Sequence, residues 1–146
     1  MTRSKRDAPE TTLPIACNVD RIPADERDVW LATASQFYQA VTECREESDG
    51  YALRVAAHDL RLTAEYVHRD RWCCAFLSWE IVVEPGGGPV WLRLRGPEGT
   101  KQFLKQAFEM TALLPTSVAH AAGFATAERA PVELASAAEF AKKLAR

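Results

Sequence analysis

Apolar positions along the chain follow two periods, one near 3.6 and one of 2, and these divide it into helices and strands. Residues 1 to 12 show neither period and read as a flexible arm. Pro14 to Val19 reads as a short extended segment, available as an edge strand. Pro23 is preset for a first helical turn, and Asp25 and Glu26 favour its positive end. The helix they open carries Trp30, Ala34, Phe37, Val41 and Cys44 as one stripe, flanked by Leu31 and Tyr38. That stripe predicts a helix to about Glu47, ended by Ser48-Asp49-Gly50.

Tyr51, Leu53 and Val55 alternate with smaller or charged residues, the signature of a half-buried strand. Asp59 then N-caps a second helix, with Leu60, Ala64, Val67 and Cys74 on its inner face and Arg61, Glu65 and Arg69 turned to solvent. A β-hairpin follows, Trp79 to Val83 and Val90 to Leu94 around Pro85-Gly86-Gly87-Gly88-Pro89. Setting Ile81 opposite Leu94 and Val83 opposite Leu92 places Glu80 beside Arg95 and Glu84 beside Trp91. A third helix from Thr100, with Phe103, Leu104, Ala107 and Phe108 inward, ends before Pro115. Residues 116 to 146 turn alanine-rich, with a last helix from about Glu133 to Leu144. The expected fold class is α+β: a small antiparallel or mixed sheet covered on one face by three helices over residues 13 to 115, plus a C-terminal helical appendage from 116 to 146. The appendage suits docking on the domain or on a second copy of the chain, so a homodimer is one expectation.

Composition narrows the partners. With 18 basic and 20 acidic residues the net charge is -2, which argues against an electrostatic grip on nucleic acid. Apolar runs are only a few residues long, against the ~20 needed to span a membrane, and no apolar run follows the basic start. The expected location is therefore cytoplasmic. A chain of 146 residues with 47% hydrophobic content folds without staples, so a bound metal would serve function first.

In a reducing compartment the four cysteines, Cys17, Cys44, Cys73 and Cys74, are expected as thiols. Cys44 continues a helical stripe and reads as core. On a helix, Cys74 would continue the buried face and Cys73 would sit near Arg69 at the boundary, leaving one of the two accessible. Cys17 lies outside any stripe and is the natural third thiol. Three thiolates suit Cu(I), Hg(II) or As(III) or, with a fourth ligand, Zn(II). His58 and His68 are the candidate fourth ligands, His58 preferred because His68 points away from Cys73 on the same helix. There is no C-x-x-C spacing code. Arg69, Arg71 and His68 favour ionising a nearby thiol whereas a helix C-terminus opposes it, which leaves the sign of the net shift open, and Trp72, Trp79 and Trp91 bracket the segment as walls that restrict water. Glu80 and Glu84 read as cross-strand partners before they read as an acid/base pair. Gly96-Pro97-Glu98-Gly99 reads as a turn with an N-cap, and no G-x-S-x-G elbow is present.

Three segments carry a family likeness: Ala16-Cys17-Asn18, Arg71-Trp72-Cys73-Cys74-Ala75-Phe76, and Val83 to Gly99 with its V-E-P-G-G-G-P-V-W-L-R-L core. The chain resembles a group of small bacterial proteins with A-C-N, R-C-C-P-F and V-E-P-G-G-G-P-V-W-L-R-L-T-G-P-E-G motifs, over roughly residues 13 to 108. The resemblance implies that Cys17 and the Cys73-Cys74 pair form one constellation, without Cys44, and that it handles a thiophilic metal or metalloid. This chain departs in having Ala75 where the group has proline, and in its alanine-rich tail. The leading expectation is thiolate binding of a soft metal or metalloid ion by Cys17, Cys73 and Cys74, with His58 as fourth ligand. Two others stay open: a metal- or thiol-dependent enzyme acting on a small molecule through Cys73 or Cys17, and a non-catalytic dimerising module.

Overall fold

The computed structural model describes residues 13–125, so the expected N-terminal arm and the helix from about Glu133 lie outside the described residues. Two single-turn 3-10 segments, Val19–Arg21 and Ala24–Glu26, lead into helix α1, Arg27–Gln39. Its buried stripe is the expected one, with Trp30, Leu31, Ala34, Phe37 and Tyr38 in the core. The helix nevertheless stops well short of Glu47. Ala40 caps it, and Glu43–Glu47 forms strand β1, paired antiparallel with β2, Gly50–Val55, across the turn Ser48-Asp49. Glu-Cys-Arg-Glu-Glu suits a helix locally, and the partner strand overrides that preference. Asp49-Gly50 is thus part of a hairpin connection and not a helix stop.

Strands β3, Ser78–Val83, and β4, Val90–Arg95, complete a four-stranded antiparallel sheet in the order β1-β2-β4-β3. The expected hairpin is present with its register moved by two residues: Ile81 faces Leu92, Val83 faces Val90, and Trp79 faces Leu94. A two-residue slip leaves every side chain on the same face, so apolar alternation is blind to it. The turn decides. Glu84 N–H donates to the Pro89 carbonyl at 3.1 Å and Gly88 N–H to that of Pro85 at 3.2 Å, closing a tight loop in which Gly86 and Gly87 take positive φ angles. Glu80 consequently faces Arg93.

Tyr51, Leu53, Val55, Val90, Leu92 and Leu94 line the buried face of the sheet. The opposite face carries charge: Arg93 bridges Glu47 and Glu80, both at 3.0 Å, and Arg95 pairs with Asp49 at 3.1 Å. Helices α2 (Leu60–Asp70), α3 (Thr100–Thr111) and α4 (Thr116–Ala121) pack with α1 around the buried face, giving an α+β architecture. On α3, Leu104 and Phe108 are buried as expected. On α2 the expected face is half right, with Val67 packed on the core and Cys74 buried beyond the helix end. Leu60 and Ala64 are exposed, and Thr63, Tyr66 and Asp70 are the buried residues. The rotation lets Asp70 meet two buried donors described below. After α4, Phe124 enters the same core, its ring 5.5 Å from Tyr51 and 5.6 Å from Phe108. Residues 14–18 form no edge strand; they run irregularly into the first 3-10 turn.

Candidate metal centre

The site begins where α2 ends. Past Asp70 the chain tightens into a turn in which the N–H groups of Cys73 and Cys74 both donate to the Asp70 carbonyl, at 2.9 and 3.1 Å. Cys73 and Cys74 are therefore not helical, and the divergence expected of adjacent helical side chains does not apply. Both are buried, at 1% and 7% exposure, which corrects the expectation that one would be accessible. The N-terminal segment docks on this turn: Asn18 N–H donates to the Cys73 carbonyl at 3.0 Å, and the Asn18 side chain caps the following 3-10 turn by accepting from Asp20 N–H. This clamp delivers Cys17. Its Sγ lies 2.9 Å from that of Cys74, and the sulfurs of Cys17, Cys73 and Cys74 all lie within 4.8 Å of one another, close enough to bind one metal ion.

Three thiols this close share their charge. Hydrogen bonding from Cys17, then from Cys74, holds the Cys73 thiol down to about 4, with the Asn18 backbone N–H assisting. The contact with Cys73 pushes Cys17 well above the ordinary thiol value against a lowering contact from Cys74, and contacts with Cys17 and Cys73 push Cys74 up, burial adding to both. The cluster thus favours negative charge on Cys73 over the other two sulfurs. The cations expected to do this work are engaged elsewhere. Arg69 pairs with Glu65 at 2.6 Å, and Arg71 stacks 4.4 Å from the Trp72 ring.

Beside the sulfurs runs a buried polar chain that the sequence reading missed. Asp70 accepts from Trp30 Nε1 at 2.6 Å and from the Tyr66 hydroxyl at 3.3 Å, and the Tyr66 and Tyr38 hydroxyls bond each other at 2.6 Å. Burial, then the charge on Cys73, pushes the Asp70 carboxyl up to about 7, against which Trp30, Cys74 and Tyr66 act by hydrogen bonding. The carboxyl therefore lies beside the thiolate without a full second negative charge at neutral pH. In His68-Arg69-Asp70-Arg71 the acid reads as part of a solvated charge run. The signal available was the spacing Thr63, Tyr66, Asp70 on one helical face, three residues able to hydrogen-bond and still tolerate burial.

His58 stands in the turn before α2, 84% exposed, its Nε2 3.6 Å from Asp59, at the opposite end of that helix from the cysteines. The structure does not bring it to the sulfurs, and His68 is exposed as well. The tryptophan walls are corrected too. Trp72 is 46% exposed, and Trp91 lies on the charged sheet face beneath Arg45. Trp79 packs edge-on against Tyr66, one layer from the site. Glu80 is held by Arg93 and Arg95, Glu84 is exposed, and Gly99 is the left-handed N-cap of α3. Among the described residues no helix is long and apolar enough to cross a membrane. No family model, curated protein or solved structure matches the chain.

Proposed function

We propose that the protein binds a soft metal or metalloid ion in the cytoplasm through the thiolates of Cys17, Cys73 and Cys74. The observation that carries this reading is the convergence of three sulfurs within 4.8 Å of one another from segments 57 residues apart in the chain. The sulfurs of a fully packed core do not need to cluster, whereas three soft donors around one point match an ion that prefers thiolate. Three-coordinate As(III), Hg(II) or Cu(I) fits best, because Zn(II) in a structural site takes four ligands, the ligand group among the described residues is three sulfurs, and the nearby Asp70 carboxyl is held by Trp30 and Tyr66. Cys73 supplies one thiolate in advance, and an arriving cation replaces the protons on the other two sulfurs. The sequence resemblance, which groups the same three cysteines, agrees with this reading.

Nucleophilic catalysis by Cys73 is the second reading, favoured by its low thiol pKa and opposed by its 1% exposure. Native mass spectrometry of the reduced protein titrated with As(III), Hg(II), Cu(I) and Zn(II) separates the two. Binding predicts one ion per chain, lost in Cys17→Ser, Cys73→Ser and Cys74→Ser and kept in Cys44→Ser. Absence of any stoichiometric adduct overturns it.

A further inference from the structure

Next to the sulfurs lies a small, partly open cavity of about 40 Å³. Two of the three cysteines line it, Cys17 and Cys74; Cys73 does not. The facing wall is carbon, built by Leu104, Ala107 and Phe108 of α3 and by Leu113 beyond its end. Tyr38 and Tyr66 close another side, with their hydroxyls bonded to each other. The Asp70 carboxyl also borders the cavity, already held by Trp30 and Tyr66, and most of the lining surface is carbon, which suits a small apolar group.

A trivalent metalloid with no carbon substituent has three exchangeable positions and would engage all three sulfurs, leaving this space outside its coordination sphere. A species with one small carbon substituent has two exchangeable positions, matching the two cysteines on the cavity, and a group to place inside it. Building on the thiolate-binding reading, we infer that the preferred ligand is a monomethyl trivalent metalloid of the methylarsenic(III) class, bonded to Cys17 and Cys74 with its methyl group in the cavity. The exchange balances without a redox partner. CH3As(OH)2 loses two hydroxyls, two As–S bonds replace two As–O bonds, the thiol protons leave with the hydroxyls as two waters, and arsenic stays trivalent. Size limits the substituent, since about 40 Å³ is far below the roughly 150 Å³ of a cavity that takes benzene.

The test titrates the reduced, full-length protein with arsenite, methylarsonous acid and phenylarsonous acid, reading dissociation constants by competition against a chromogenic dithiol. Wild type is expected to bind the methyl compound at least about tenfold more tightly than the phenyl compound. Cys73→Ser is expected to lose arsenite and hold the methyl compound within a few-fold, whereas Cys17→Ser and Cys74→Ser lose both. Ala107→Leu, which fills the cavity, weakens the methyl compound about tenfold and leaves arsenite within about twofold, so arsenite retention also reports that this variant is folded. Leu113→Ala, which enlarges the cavity, brings the phenyl compound toward the methyl one. Equal binding of methyl and phenyl compounds by wild type, or parallel loss of arsenite and the methyl compound in Cys73→Ser, overturns the inference while the three-thiolate reading stands. Failure of wild type to bind arsenite as well overturns both.

Discussion

Cys44 points to the buried side of the sheet opposite Leu53, and burial, then the neighbouring Glu43, pushes its thiol from 9.0 up to about 12. A value raised on folding means that the native state keeps a proton which the unfolded chain has released. The associated stability is complete below about pH 9 and is lost as pH rises toward about 12. Cys44→Ala should therefore lessen the fall in the urea midpoint between about pH 8 and about pH 10.5, a contribution of about 1–2 kcal/mol to unfolding free energy. Burial holds Tyr51 up to about 12 as well, so part of the alkaline slope should persist in the variant. An unchanged slope would show that the Cys44 thiol is hydrated in the native state. The same residue type behaves oppositely at Cys73 because its neighbours are thiols that donate to it and not carbon that merely excludes water. The sequence distinguished Cys44 from the other three by its place in an apolar stripe, although the stretch that holds Cys44 became a strand. It did not disclose Asp70, whose burial depends on Trp30, 40 residues earlier.

Among the elements, the β1–β2 hairpin shows where local preference gives way. Gly50 closes it opposite Glu47 and also pairs with Arg95 on β4. A Cβ at Gly50 would run into the Leu94 carbonyl oxygen, a backbone atom of β4, which is paired on both sides, so the sheet would have to open. Gly50→Ala is expected to cost about 2–3 kcal/mol or more, measured as a lower urea midpoint at constant slope. A cost below about 0.5 kcal/mol would mean that β2 and β4 are further apart than described. This close approach was hidden in the sequence, where Asp49-Gly50 reads equally as a helix stop and as a hairpin turn. The β3–β4 hairpin was legible as an element because both strands alternate strictly. Its register was not, because a slip of two keeps both faces intact and only the loop from Pro85 to Gly88 distinguishes the alternatives.

At the scale of the whole molecule, one bound ion would tie the N-terminal segment to the turn after α2, reinforcing the clamp that Asn18 N–H makes on the Cys73 carbonyl. A ligand that binds only the folded chain stabilises it by mass action, about 2.7 kcal/mol at 100 times its dissociation constant. For a chain of this size that raises Tm by roughly 8 °C. Saturating As(III) should give this rise in wild type and none in Cys17→Ser, read by scanning calorimetry. An equal rise in the variant would place the ion elsewhere. By itself the sequence determined the α+β class and the core faces of α1, α3 and the hairpin strands, because periodicity is a local property; it singled out Cys17, Cys73 and Cys74 as candidate ligands by residue type and resemblance, and the structure brought them together. Only the tertiary structure decided the strand at Glu43–Glu47, the hairpin register, the inward face of α2, the Asp70 network and the cavity beside Cys17 and Cys74. Each of these depends on a partner distant in the chain, a strand, a donor or an opposing wall, and the free energy of meeting that partner exceeds the fraction of a kcal/mol by which local preference differs.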